Sequence, residues 1–197
     1  MNTPSHLIIT AALRKRVRPA PIPTSAVLWG SIAPDLSLYL LSIGGLVYYR
    51  FFLGWDTSKA FRYMYDDLFF NSPFWIAAHN LLHAPIVLLV GMALLWSRRR
   101  QIAGPFRWLF WFLASCMLHT VIDILCHVDD GPLLFFPFNW TYRFHSMVSY
   151  WDPRYYGVQF TVFELTLDVV LLGYLLIPRL LRWIKQRAGR GTTSSAQ

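Results

Sequence analysis

Four apolar stretches, each about as long as a bilayer is thick, dominate this sequence of 197 residues. They run from Ala26 to about Val47, from Pro73 to Trp96, from Pro105 to Cys126 and from Val158 to about Leu181. A helix needs about 20 apolar residues to cross the hydrocarbon core of a bilayer. Backbone groups cannot stay unpaired there, so such stretches must be helical. The sequence therefore predicts an all-α fold, an integral membrane bundle of four transmembrane helices.

A shorter apolar segment precedes the first of these stretches. A helix that begins at Thr3 or Ser5 and ends at Leu13 is too short to span a bilayer. A basic cluster, Arg14 to Arg18, and a proline-rich linker follow it. We therefore expect a short N-terminal helix beside the bundle. Residues 1–185 are predicted to form one membrane-embedded domain, and residues 186–197 a disordered cytoplasmic tail.

The composition and the placement of charge also indicate a membrane protein. Only 14% of the residues are charged, against roughly a quarter in soluble domains, and 55% are hydrophobic. The net charge of +8 comes from basic clusters that flank the apolar stretches. This placement is typical of membrane topology and of contact with anionic lipid, not of nucleic-acid binding. With the basic clusters on the cytoplasmic side, four helices put both termini in the cytoplasm, and the lipid bilayer is the predicted partner.

Three polar side chains interrupt the third apolar stretch. His119, Asp123 and His127 recur every four residues, so they lie along one stripe of a helix. His79 and His83 share this spacing in the second stretch. Imidazole and carboxylate groups are costly inside a bilayer, and they mark by default a site that faces protein or water. The plain alternative is a hydrogen-bond network that only holds the helices together.

The depth of these side chains in the membrane favours one shared site. At about 1.5 Å per residue, Asp35 on the first helix and Glu164 and Asp168 on the fourth reach a depth similar to that of the histidines. Neutral imidazole and carboxylate groups suit zinc and similar divalent ions, and a carboxylate such as Asp123 can bridge two ions. We therefore predict a divalent-metal site, most simply for zinc. Its candidate ligands are His6, Asp35, His79, His83, His119, Asp123 and His127.

Several motifs, taken in order, resemble the bacterial family of membrane-bound metal-dependent hydrolases. They are His6 near the N-terminus, the pair Pro34-Asp35, the histidines His79 and His83, and a H-x3-D box from His119 to Asp123 followed by Gly131-Pro-Leu-Leu-Phe-Phe-Pro137. The resemblance covers about residues 1–140. It implies a multi-pass protein of the cell inner membrane that hydrolyses a phosphoester or related ester, with the membrane as the source of substrate, through a metal-activated water. We predict Glu164 or Asp168, outside the matched stretch, as an assisting base.

The order of histidines and acids is also similar, more loosely, to that of soluble zinc-dependent phospholipases C. This similarity implies a site for several zinc ions held by His6, Asp35, one of His79 and His83, His119, Asp123 and His127. The late His-x3-Glu motif of those enzymes is absent, because the residue four positions after His145 is Ser149. A role for His145 stays open.

Non-enzymatic functions remain alternatives at this stage. Four-helix bundles hold haem b between facing histidines, although acids four residues from the histidines argue against haem here. A metal or proton transporter lines its pathway with the same residue types. Against a transporter, the sequence shows no internal repeat, and no helix broken by glycine or proline at mid-depth is predicted. A purely structural membrane protein is the last alternative.

Overall fold

The computed structural model describes residues 1–17, 22–100 and 104–193, and helices build about three quarters of it. The α-helices are α1 (Thr3–Arg16), α2 (Thr24–Val47), α3 (Thr57–Arg62), α4 (Phe69–Asn71), α5 (Pro73–Asn80), α6 (Pro85–Leu94), α7 (Pro105–Cys126) and α8 (Gly157–Thr193). Two π-helical segments, Tyr48–Phe52 and Tyr63–Leu68, flank α3. The described residues include no β-strand, only an isolated bridge between Leu133 and Arg143. The predicted all-helical fold is confirmed.

Three helices are long and apolar enough to cross a bilayer. They are Thr24–Phe52, which extends α2, then Pro105–Cys126 and Gly157–Arg187. The pair α5 and α6 becomes a fourth candidate if its two halves count as one span, but these halves are bent by 48°. The structure is therefore a helical bundle with three or four candidate membrane spans, and the predicted span from Pro73 to Trp96 consists of two helices with a break between them.

The break between α5 and α6 has a local cause and a long-range support. Pro85 has no N–H and disfavours helical backbone at Ala84, whose ψ is 123°. The side chain of Asn80 fills the gap: its Nδ2 donates to the Ile76 carbonyl at 2.9 Å, and its Oδ1 accepts from the Leu133 N–H at 2.8 Å. His83 consequently lies in a turn inside the bundle. This region therefore does contain a broken helix, a feature whose expected absence was one of two reasons against a transporter.

We expect Asn80→Ala to destabilise the protein. Asn80 is fully buried, and its loss would leave the Leu133 N–H without a partner, at a cost of about 1–3 kcal/mol. Thermal unfolding in detergent measures the change. Asn71→Ala is the matched control, because the exposed Asn71 side chain bonds only locally to Asp67, and it should unfold like the wild type. Equal shifts in the two variants would contradict this role of Asn80.

Helices α2 and α7 pack closely at Gly30. A Cβ atom at Gly30 would lie 2.3 Å from the carbonyl oxygen of Phe112 and 2.7 Å from Cβ of Ser115. Beside this contact the Ser115 hydroxyl donates to the Val27 carbonyl at 2.6 Å. Only glycine allows this approach, which brings the next turns of α2 level with His119 on α7.

Helix α1 packs against α2 on one side and α8 on the other, and so connects α8 to the bundle. Ser5, His6 and Thr10 are all buried. The Asn2 backbone N–H and side-chain amide donate to the two carboxylate oxygens of Glu164 at 2.7 and 2.8 Å. The Ser5 hydroxyl donates to Asp168 Oδ2 at 2.7 Å. The predicted short N-terminal helix is present. Its polar face is buried because Glu164 and Asp168 of α8 accept hydrogen bonds from Asn2 and Ser5.

The C-terminal part of the chain departs from the predicted tail. Helix α8 continues as far as Thr193, so the segment from residue 186 to that point is helical in this structure where disorder was predicted. Lysine, arginine and glutamine are good helix formers, which supports the extension. Residues 194–197 of the tail and residues 18–21 of the predicted linker lie outside the described part of the chain.

Candidate metal centre

Four ligand atoms from three parts of the fold converge on one point. Asp35 comes from α2, His83 from the break between α5 and α6, and His119 and Asp123 from α7. One ligand atom of each residue lies within 4.8 Å of the other three, and all but Asp35 are buried. The structure thus brings together four of the seven ligands predicted from the sequence.

The distances in this four-residue cluster suit a tetrahedral ion. His119 Nε2 lies 3.0 Å from Asp123 Oδ2 and 3.3 Å from Asp35 Oδ1. His83 Nε2 lies 3.2 Å from Asp123 Oδ2 and 3.9 Å from Asp35 Oδ1. Ligands bound at about 2.1 Å to a tetrahedral zinc ion are roughly 3.4 Å apart. These four distances lie within about 0.5 Å of that spacing.

The orientation of the His119 ring also favours a cation at the centre. Its Nδ1 lies 2.8 Å from the carbonyl oxygen of Ser31, which can only accept, so Nδ1 carries a proton. In the neutral ring, Nε2 then presents a lone pair to the oxygens of Asp35 and Asp123, and it is buried without a hydrogen-bond partner. Either a proton on Nε2 or a metal cation offsets this repulsion. Metal-ligating histidines fix their tautomer in the same way, by donating the other ring N–H to a carbonyl or carboxylate.

Further contacts hold the second oxygen of each carboxylate, the one that does not point to the other ligand atoms of the cluster. The Thr3 hydroxyl donates to Asp35 Oδ2. On Asp123, Oδ1 accepts from the Met1 ammonium group at 2.9 Å and lies 2.9 Å from His6 Nε2. The His6 ring stacks on the His119 ring with centroids 3.7 Å apart. The predicted ligand His6 therefore contacts the second oxygen of Asp123 and lies next to the four-residue cluster, without belonging to it.

The other two predicted ligands line the edge of the cluster. The His79 ring packs against the His83 ring, with centroids 4.5 Å apart, and its Nδ1 is buried without a hydrogen-bond partner. His127 places Nε2 3.8 Å from Asp123 Oδ1 and Nδ1 3.0 Å from Asp130 Oδ1. Burial acts to raise the pKa of Asp130, but His127 and Trp151 outweigh it and lower that pKa below its ordinary value.

The two acids predicted as bases take part in a different set of contacts. Both oxygens of Glu164 are bonded to Asn2, and Asp168 accepts from Ser5. These bonds fix α1 against α8, and neither acid belongs to the four-residue cluster. Their role as bases stays a prediction. His145, left open by the sequence, is exposed and lies 3.0 Å from Asp129.

A cavity of about 570 Å³ opens above the cluster. Its floor includes Asp35, His83 and Asp123, with His79 and His127 beside them. Its walls carry the aromatic side chains Tyr39, Tyr65, Phe69, Phe70, Tyr150 and Trp151, and Arg154 lies at its edge. The cluster is thus buried on the protein side and reachable from the cavity.

Two residues at the centre were not identified from the sequence. The carbonyl of Ser31 orients His119, and a backbone contact of this kind leaves no signal in the sequence. Cys126 Sγ lies 4.0 Å from Asp123 Oδ1 and accepts from the Met1 ammonium group at 3.0 Å. Its spacing of three residues from Asp123 puts both on one helix face, so this residue could have been found.

Comparisons with known proteins identify the family of the chain and no reaction. No match was found among curated proteins or among solved structures. The family model described as YdjM inner membrane protein matches residues 1–188, which include every residue of the centre. This match is coarser than the predicted resemblance, because it shows neither a hydrolase family nor a similarity to phospholipase C. It does agree with the predicted inner-membrane location. The chain belongs to the YdjM inner membrane protein family.

Proposed function

We propose that this protein is a metal-dependent hydrolase of the inner membrane that acts on a phosphoester or related ester. The observation that carries the proposal is the cluster of Asp35, His83, His119 and Asp123, of which all but His119 line a cavity of about 570 Å³. Two carboxylates balance the charge of a divalent ion, most simply zinc, and two imidazoles complete its protein ligands. The cavity side leaves room for water and substrate.

The chemistry divides between the ion and the side chains around it. Held by these four residues, a divalent ion would lower the pKa of a water ligand towards neutrality and would polarise a phosphoryl or carbonyl oxygen. Ser31 and Thr3 keep His119 and Asp35 in position. His79 lines the cavity and has a buried Nδ1 without a hydrogen-bond partner, so we assign it the exchange of a proton with substrate. Glu164 and Asp168 remain candidates for an assisting base.

The proposed topology has four spans, with α5 and α6 together as the second. The positive-inside rule puts Arg98 to Arg100, the basic end of α8 and the basic end of α1 at the cytoplasm. The Met1 ammonium group contacts Asp123, so the amino end of α1 lies beside the proposed metal centre. We therefore propose that the end of α1 at the cytoplasm is its basic end, Arg14–Arg16, and not Met1. The cavity then opens towards the outer face and the aromatic loops.

The test is hydrolysis of chromogenic phosphodiester and carboxylic-ester substrates by protein purified in detergent. We expect activity that a chelator removes and zinc restores. His83→Ala should lower the activity at least about 100-fold, since loss of an outer-shell partner alone already costs 10–100-fold. His145→Ala is the matched control, because His145 is exposed and outside the cluster, and it should retain full activity. Chelator-resistant hydrolysis, or equal losses in both variants, would contradict the proposal.

The geometry does not favour haem. Nε2 of His6, His83 and His119 all lie within 3.2 Å of an oxygen of Asp123. These rings converge on one carboxylate, and His6 and His119 stack directly on each other. A haem would need two imidazoles that face each other across a flat space. An absorption spectrum without a Soret band is the expected result for the purified protein.

A transporter is the second candidate, favoured by one observation. The bend of 48° between α5 and α6 lies next to the cluster, and broken helices line the ion sites of many transporters. Proteoliposomes loaded with a zinc-sensitive dye separate the two functions. The hydrolase proposal predicts ester cleavage without zinc uptake. Zinc uptake without ester cleavage would favour the transporter.

A further inference from the structure

The two oxygens of Asp123 face two different sets of ligand atoms. Oδ2 lies beside His83 and His119 and belongs to the cluster described above. Oδ1 faces the end of α7, where Cys126 and His127 follow it by three and four residues. Ligand atoms of Asp123, Cys126 and His127 lie within 4.8 Å of one another. The side chain can therefore serve two ions at once.

The spacing of this second group is close to that of a bound ion. Asp123 Oδ1 lies 4.0 Å from Cys126 Sγ and 3.8 Å from His127 Nε2. Zinc ligands at about 2.0 Å (nitrogen or oxygen) and 2.3 Å (sulfur) are roughly 3.3–3.7 Å apart. The two distances from Asp123 Oδ1 therefore exceed those of a bound ion by only a few tenths of an ångström.

His127 lies beside a neighbouring carboxylate, although its Nδ1 makes no hydrogen bond of regular geometry there. Its Nδ1 lies 3.0 Å from Asp130 Oδ1, and this leaves Nε2 turned towards Asp123. Asp130 is itself held by the indole N–H of Trp151, which donates to Oδ2 at 2.8 Å. A carboxylate behind a histidine is the usual outer shell of a zinc ligand. On the other oxygen of Asp123, the His119 ring is held by a hydrogen bond between its Nδ1 and the Ser31 carbonyl.

Cys126 is buried and fixed at a point where a cation already fits. The Met1 ammonium group lies 2.9 Å from Asp123 Oδ1 and 3.0 Å from Cys126 Sγ. The Tyr150 N–H donates to the Cys126 carbonyl at 2.9 Å, and this bond fixes the end of α7. A carboxylate and a sulfur atom thus share one positively charged partner in this structure.

We propose that Asp123 Oδ1, Cys126 Sγ and His127 Nε2 bind a second divalent ion, so that Asp123 bridges two metals. The inference rests on the proposed metal centre and adds to it a site with a thiolate ligand. Thiolate and imidazole together suit zinc or cobalt better than magnesium or calcium. Binding removes the thiol proton of Cys126 to solvent, and the ion replaces the Met1 ammonium group as the counter-charge of Asp123 Oδ1.

Cobalt(II) reports the thiolate ligand directly. Protein stripped with a chelator and reloaded with cobalt should bind two equivalents and show a thiolate-to-cobalt charge-transfer band in the near ultraviolet. Cys126→Ser should abolish the band and lower the stoichiometry from two to one. Cys116→Ser is the matched control, since Cys116 is buried in the same helix and outside both groups of ligands, and it should keep the band and both equivalents.

A second pair of variants tests the site independently, in case Cys126→Ser does not fold. His127→Ala should also reduce two equivalents to one, whereas His145→Ala, whose ring pairs with Asp129 at the same 3.0 Å distance, should change nothing. One bound equivalent in the wild type, without the band, would overturn the second site and leave the first intact. Two equivalents unaffected by both Cys126→Ser and His127→Ala would also overturn it. No bound cobalt at all would overturn the proposed function as well.

Discussion

Asparagine in place of Asp123 is expected to weaken metal binding more than any other single substitution in this protein. The amide keeps the shape of the side chain and removes its charge. Asp123 lies within 3.2 Å of nitrogen atoms from Met1, His6, His83 and His119, and no other side chain at the centre has as many such contacts. Because loss of an outer-shell partner alone costs 10–100-fold in metal affinity, we expect a loss of at least about 100-fold here.

Competition with a chromogenic zinc chelator measures this loss on protein in detergent. Asp66→Asn is the matched control, because Asp66 lines the same cavity and is exposed. It changes the net charge equally without touching the ligands, so its zinc affinity should equal that of the wild type. Comparable affinities in Asp123→Asn and Asp66→Asn would show that Asp123 is not a ligand.

Alanine at Gly30 is expected to have the largest effect among substitutions that touch no ligand. Its Cβ would lie 2.3 Å from the Phe112 carbonyl oxygen, a backbone atom that cannot move alone. Overpacking of this kind costs about 1–3 kcal/mol, occasionally more. Helices α2 and α7 must separate, and the separation moves Asp35 away from His119. We therefore expect a lower unfolding temperature together with weaker zinc binding.

Gly44 in the same helix provides the control for Gly30. A Cβ atom at Gly44 meets nothing within 4 Å. Glycine inside a helix costs roughly 0.5–1 kcal/mol relative to alanine, so Gly44→Ala should be neutral or slightly stabilising. Thermal unfolding and chelator competition on both variants decide the matter. If Gly30→Ala behaves like Gly44→Ala in both measurements, the close approach of α2 and α7 is not needed for the centre.

Most of the helical framework could be predicted from hydropathy alone. Helix α7 has the predicted bounds, Pro105–Cys126, and α2 begins two residues earlier than predicted. The break before Pro85 was missed because the mean hydropathy of the stretch does not register a lost backbone bond. The break is stabilised by a hydrogen bond between Asn80 and Leu133, which are 53 positions apart in the sequence. Such a long-range contact has no local pattern.

The composition of the centre could be predicted in part, for a physical reason. Helices in a bilayer are rods in a slab of fixed thickness, so counting residues gives the depth of Asp35, His119 and Asp123. The position of a side chain in the plane of the membrane depends on how the helices pack, and counting residues does not give it. The insertion of α1 into the bundle decides that Glu164 meets Asn2 and that His6 meets the rear oxygen of Asp123.

Elemental analysis of the purified wild-type protein tests the existence of the metal centre most directly. The protein is purified in detergent without chelators, equilibrated with excess zinc, and passed through a desalting column before metal and protein are quantified. A centre built by Asp35, His83, His119 and Asp123 predicts at least one tightly held divalent ion per chain. A wild-type protein that retains no stoichiometric metal after this treatment would contradict it.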